Sequence, residues 1–160
     1  MKTLTGAAVA ALILVGAVGT AQAHCEIPCG IYGDEMRFDM IDEHLETIAK
    51  SMRQIDELSA DPAANANQLT RWIMNKEDHA AQLREILTVY FLVQRIKPVD
   101  PVDGDAYQTY LAQIETLHRM MVRVMKTKQT TNLVHVTELQ KLKDRLYRLY
   151  FGEDHEKHTH

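Results

Sequence analysis

DEMRFDMIDEHLETIAKSMRQIDEL, residues 34–58, decides the fold. Met36, Met40, Ile41, Leu45, Ile48, Met52, Ile55 and Leu58 recur three or four positions apart, with charged residues between them. That is the spacing of one face of an α-helix, whereas a half-buried strand would alternate. The pattern predicts one helix over Asp34–Leu58, capped by Asp34 or its neighbour and stopped by Asp61-Pro62. Working outward, ADPAANANQ (60–68) reads as a loop. A second helix is predicted over Asn67–Ile96, with Leu69, Trp72, Ile73, Ala80, Leu83, Leu87, Tyr90 and Phe91 as its buried stripe and Lys97-Pro98 as its end. KPVDPVDGD (97–105), with two prolines and a glycine, is a connector. A third helix, Ala106–Lys126, uses Tyr107, Leu111, Ile114, Leu117, Met121 and Met125. KTKQTTN (126–132) separates it from a fourth, Leu133–Phe151, whose Leu139, Leu142, Leu146 and Leu149 form a near-heptad seam. Four amphipathic helices joined by short loops make an all-α protein, a four-helix bundle over 34–151. The scattered methionines read as core filler. The last stretch, GEDHEKHTH (152–160), is a polar tail whose His155, His158 and His160 read as solvated.

Residues 1–23 read as a secretory signal peptide. Lys2 is the positive start, 7–18 is apolar, and Ala21-Gln22-Ala23 is a small-x-small cleavage site. The apolar run is short for a membrane span, so no stable membrane anchor is expected after cleavage. Cutting behind Ala23 leaves 137 residues beginning at His24. Lys2 is the leader's one charge, so of 18 basic and 22 acidic residues the mature part keeps 17 and 22, net −5 with His neutral. Such a balance argues against a nucleic-acid partner. Export implies a periplasmic or secreted location and an oxidising compartment.

Both cysteines fall just behind that cut, in HCEIPCGIYG (24–33). In a secreted chain a Cys25–Cys29 disulfide in a purely structural bundle is the plain alternative. Cleavage, however, frees an α-amino group on His24. That amine, the Cys25 amide nitrogen and the Cys25 sulfur form fused chelate rings, and the Cys29 sulfur completes a square plane of two nitrogens and two sulfurs. Square-planar nitrogen-containing sites point to Ni(II) or Cu(II), while zinc prefers a tetrahedron. Two thiolates and an anionic amide stabilise Ni(III), and the His24 imidazole is available as an axial ligand. Pro28 stiffens the loop that folds Cys29 back, and Gly30 permits the turn after it. Tyr32 is near enough to order water or substrate at the open face.

The same stretch resembles the nickel-binding hook of nickel superoxide dismutases, His-Cys-x-x-Pro-Cys-Gly-x-Tyr, at His24, Cys25, Pro28, Cys29, Gly30 and Tyr32. QLTRWIMNKEDHA (68–80) is similar to that family's second-helix segment. The resemblance implies a four-helix bundle assembled as a homohexamer, one nickel ion per subunit, and superoxide as substrate, dismuted to oxygen and hydrogen peroxide by Ni(III)/Ni(II) cycling. It implies nickel held by His24 (amine and imidazole), Cys25 (amide and sulfur) and Cys29 (sulfur), with Tyr32 as the active-site tyrosine. Where the family holds the axial imidazole with a glutamate and an arginine, this chain offers Asp39 and His79 as possible second-shell residues. A non-catalytic exported nickel- or copper-binding protein, or metallochaperone, carrying the same hook is the alternative function.

Overall fold

The computed structural model describes residues 33–152 and His155. The leader, the hook residues His24, Cys25, Cys29 and Tyr32, and His158 and His160 lie outside the described residues. The four helices are α1 (Asp34–Leu58), α2 (Pro62–Glu85), α3 (Gly104–Gln129) and α4 (Val134–Phe151). They form a four-helix bundle in which α1 packs chiefly on α2 and α3 chiefly on α4. Among the described residues no helix is long and apolar enough to cross a membrane.

α1 has the bounds that its periodicity predicts. Asp34 and Glu35 in its first turn complement the positive end of the helix dipole. α2 begins earlier than expected, because ADPAANANQ is not a loop. Asp61 accepts a hydrogen bond from the Ala64 N–H at 3.2 Å and acts as the N-cap. Pro62 then occupies the first helical position, where its missing N–H is not needed. The alanines that follow favour helix. Asp61-Pro62 is therefore a start signal as well as a stop, and only a three-residue turn separates the two helices.

At Ile86 the second helix changes winding. Ile86–Arg95 is a π-helix, closed by the Ile96 N–H donating to the Phe91 carbonyl at 2.9 Å. Ile96 is extended, and Pro98 holds the connector away from helix. A short 3₁₀ turn, Pro101–Asp103, leads into α3.

Two predicted stripes are rotated or shortened. In α2 the buried line begins at Lys76, and Ile73 stays 42% exposed. In α3 the buried residues are Thr116, Leu117, Met120, Val124 and Thr127, whereas Leu111 and Met125 are exposed. The threonines enter the core because each hydroxyl donates to a carbonyl of its own helix, Ala112 and Val124 respectively, both at 2.7 Å. A reading that counts only apolar letters misses them.

Lys76 is buried and donates to the Thr127 and Lys128 carbonyls at 2.8 and 2.9 Å. It thereby caps the C-terminus of α3 from α2, with its charge at the negative end of the dipole. Asn75 likewise donates to Ser51 across the α1–α2 seam at 2.9 Å.

Phe38, absent from the predicted α1 stripe, is the centre of the core at the other end of the bundle. Its ring lies 4.9 Å from Phe91, 5.1 Å from Tyr147 and 5.7 Å from Phe151. Tilted and edge-on contacts at these separations add to the area each ring buries. Phe38→Ala should therefore lower stability by about 3–5 kcal/mol, measured as the shift in urea-unfolding midpoint. A loss under about 1 kcal/mol would mean that the cluster does not anchor this end.

Candidate functional site

The first residue of α1 is the hub of a polar cluster. Asp34 Oδ1 accepts from the Tyr90 hydroxyl. Asp34 Oδ2 accepts from Arg95 Nη2 and, at 2.6 Å, from the Tyr150 hydroxyl. Arg95 Nε in turn donates to the Tyr150 oxygen at 3.1 Å. One carboxylate thus ties α1 to the π-helical segment and to the last turn of α4. Its neighbour Glu35 accepts from His155 at 2.7 Å and from Tyr147 at 3.4 Å. His155 is stacked on Phe151, with ring centroids 4.4 Å apart. The tail is thus held against α1 at this point and is not simply solvated there.

The electrostatics follow from these contacts. Burial pushes Asp34 up, but the bonds from Tyr150, Tyr90 and Arg95 together outweigh it and leave the carboxyl below its ordinary 3.8. Burial, then the Asp34 carboxylate, pushes Tyr150 up to about 12 and raises Tyr90 as well. The bond to Asp34 raises Arg95 further. Both tyrosines stay protonated and both cations stay paired or stacked; the Arg37 guanidinium sits 4.7 Å over the Tyr90 ring.

Beside this cluster a cleft of about 210 Å³ runs between α1 and the second helix, lined among others by Arg37, Met40, His44, Glu85, Tyr90 and Gln94. Arg37 Nε, His44 Nε2 and Gln94 Oε1 are buried and have no hydrogen-bond partner among the described residues. All three belong to residues of the cleft wall. His44 Nδ1 lies 2.9 Å from His79 Nδ1. At that separation one nitrogen donates to the other, so one proton bridges the two Nδ1 atoms. The remaining nitrogen of His44 is then a donor in one tautomer and an acceptor in the other.

The sequence singled out Asp39 and His79 as neighbours of one ligand. The structure brings His79 to His44. Asp39 is exposed on α1, about 140° round the helix from His44. Asp34 was legible only as a helix cap, Tyr90 only as core, and His44, Arg95 and Tyr150 not at all. The signal in the sequence is Arg95 itself, the one charge in the largely apolar run ILTVYFLVQRI (86–96).

The family model for nickel-containing superoxide dismutase matches residues 19–154. The chain belongs to that family. It is a nickel-dependent oxidoreductase whose substrate is superoxide. Neither a curated protein nor a solved structure matches it. Among the described residues of this nickel superoxide dismutase, no group of three or more His, Cys, Asp or Glu side chains is placed to hold a metal ion. The cluster stands at the head of α1, directly behind Gly33, and the cleft opens beside it, sharing Tyr90.

His44 and Asp34 both contribute to the acid response of the fold. Burial, then the charge of His79, holds His44 below its ordinary 6.5, with Glu43 opposing. The unfolded chain then binds the proton more tightly, so stability falls as pH drops from about 6.5 towards the folded value. Asp34 acts lower: its contribution is complete above about 4 and is lost as pH falls towards its depressed folded value. His44→Gln should flatten the first limb and Asp34→Asn the second, read from urea midpoints between pH 8 and pH 3. Parallel curves for either variant and the parent would refute the assignment of that limb.

Proposed function

We propose that residues 24–33 are the nickel hook of this enzyme, and that removal of a 1–23 leader generates it. His24 supplies amine and imidazole, Cys25 its amide nitrogen and thiolate, and Cys29 its thiolate. The observation that carries this reading is HCEIPCGIYG itself, which stands directly behind the small-x-small cut and ends one residue before α1. The donor chemistry fits: nitrogen and thiolate donors in a plane suit Ni(II). When bound, nickel supplies one-electron chemistry, alternating between Ni(III) and Ni(II) as one superoxide is oxidised to oxygen and the next is reduced to hydrogen peroxide.

The chain's own residues do the rest. Tyr32 orders water or superoxide at the open face. Peroxide formation takes up two protons, and His44, hydrogen-bonded to His79, lines the cleft beside the head of α1. Of the two candidates for orienting the His24 ring, this placement supports His79, acting with His44, and leaves Asp39 on an exposed face of α1. Residues 34–151 form the bundle that carries the hook, with residues 152–160 as its tail. The protein is exported, to the periplasm or beyond. Exposed Met36, Ile73 and Met74 favour a homo-oligomer, and the hexamer rests on the family resemblance. Intact mass and metal content of the exported protein test the whole reading. The expected result is a chain starting at His24 with two free thiols and one nickel ion per subunit. A retained leader or a Cys25–Cys29 disulfide in the active form would overturn it.

Placing one extra residue before His24 removes the amine ligand. That form should bind nickel poorly, as measured by metal content after desalting, and lose dismutation. Wild-type nickel content in the extended form would sink the proposed coordination.

His24→Ala separates ring from amine. Metal content should stay near wild type while superoxide decay slows steeply. His79→Ala should give a milder loss, about 10–100-fold, and Asp39→Ala a smaller one. If Asp39→Ala is the more severe of the two, the ring is oriented from the exposed face of α1 and not from the cleft.

A further inference from the structure

We infer that Asp34, gripped by Tyr90, Arg95 and Tyr150, is a positioning residue for the hook: it fixes the direction in which the chain leaves the bundle at Gly33. The inference rests on the reading that residues 24–29 hold nickel.

Three observations carry it. The first is how little else restrains Gly33 among the described residues. Gly33 has no side chain to cap the helix, and a Cβ added there would meet nothing within 4 Å. The Gly33 carbonyl is held by the Met36 N–H at 3.0 Å, which orients the peptide relative to α1 but not relative to the other helices. Asp34 is the next residue, and its carboxylate is committed to other elements entirely.

The second is completeness. Both oxygens of Asp34 are used, by three donors from two elements. Its side chain is only 14% exposed. Charge-assisted bonds of this kind are roughly twice as strong as neutral ones.

The third is the π-helical winding. Tyr90 and Arg95 are five residues apart. In an α-helix such residues point about 140° apart and cannot both reach one carboxylate. A winding closed by i→i+5 bonds stacks them on one face. Such winding is rare, and frequently marks functional sites. Here it delivers two donors to the residue behind the hook.

Small errors of direction matter at this place. Cys29 is five residues from Asp34, a reach of at most about 17 Å. At full reach, a tilt of about 4° moves Cys29 by about 1 Å, and a displacement of that size in a reacting group costs on the order of 100-fold.

The test is the dissociation rate of Ni(II) into excess chelator, measured on the mature full-length protein, with thermal unfolding and helical content followed in parallel. Asp34→Asn should release nickel about tenfold faster, and Tyr150→Phe severalfold faster. Tyr150→Phe keeps the ring against Phe91 and Phe151 (5.6 and 4.9 Å), so it tests the clamp even if Asp34→Asn fails to fold. Lys76→Met is the control. It removes a buried bridge between α2 and α3 away from the stem, so it should lower thermal stability and leave the nickel rate unchanged. A wild-type rate in Tyr150→Phe, or an equal acceleration in Lys76→Met, would overturn the inference. Cys29→Ser separates the two levels. If it loses nickel while Asp34→Asn keeps the wild-type rate, the hook stands and the positioning role falls. If it retains nickel like the parent, the hook reading falls and takes the positioning role with it.

Discussion

A single carboxylate at the start of α1 draws three parts of the chain together. Asp34 would be expensive to bury alone, since an unpaired charge in a protein interior loses its hydration without return. It is stable here because Arg95 neutralises it and two hydroxyls complete its hydrogen bonding. The aromatic rings that carry those hydroxyls also form the core just beneath, around Phe38. Polar and apolar constraints therefore act on the same side chains. Tyr90 and Tyr150 cannot be moved without disturbing both the anion and the packing.

The neighbouring cleft has the opposite character. Three of its buried polar atoms lack partners among the described residues, and each such atom carries a penalty of about 1–3 kcal/mol. A fold that satisfies its interior threonines, Lys76 and Ser51 so fully elsewhere concentrates its unpaired groups in one wall. That wall runs along α1 from Arg37 to His44, beside the Asp34 cluster. Among the described residues the bundle is thus polar-satisfied across its interior seams and polar-unsatisfied in the cleft beside the head of α1.

Much of this was legible in the residues. The bounds of α1 follow from its periodicity and charge, and the family follows from a motif whose proposed chemistry needs fixed residues beside a freed amine. What was not legible has specific causes. Asp61-Pro62 was read as a stop although the same pair caps and begins a helix. Thr116 was left out of the predicted stripe and Thr127 was placed in the separator 126–132, although their hydroxyls satisfy themselves on their own backbone. The π-winding leaves an ordinary apolar run in the sequence, so nothing local separates it from α-helix. Asp34, Tyr90, Arg95 and Tyr150 come from three elements, and their meeting depends on tertiary packing that no window of sequence contains.

The bond between Asp34 and Tyr150 spans 116 residues, and that between Glu35 and His155 spans 120. Contacts of such separation stabilise the fold only once the loops between them have closed. The head of α1 is therefore among the first parts of the bundle to be synthesised, and its full set of bonds needs the last turn of α4. Until the final turn of α4 exists, the residues ahead of Gly33 are attached to a helix whose first carboxylate has only part of its grip. Order of synthesis thus becomes order of assembly in reverse: the beginning of the enzyme waits for its end.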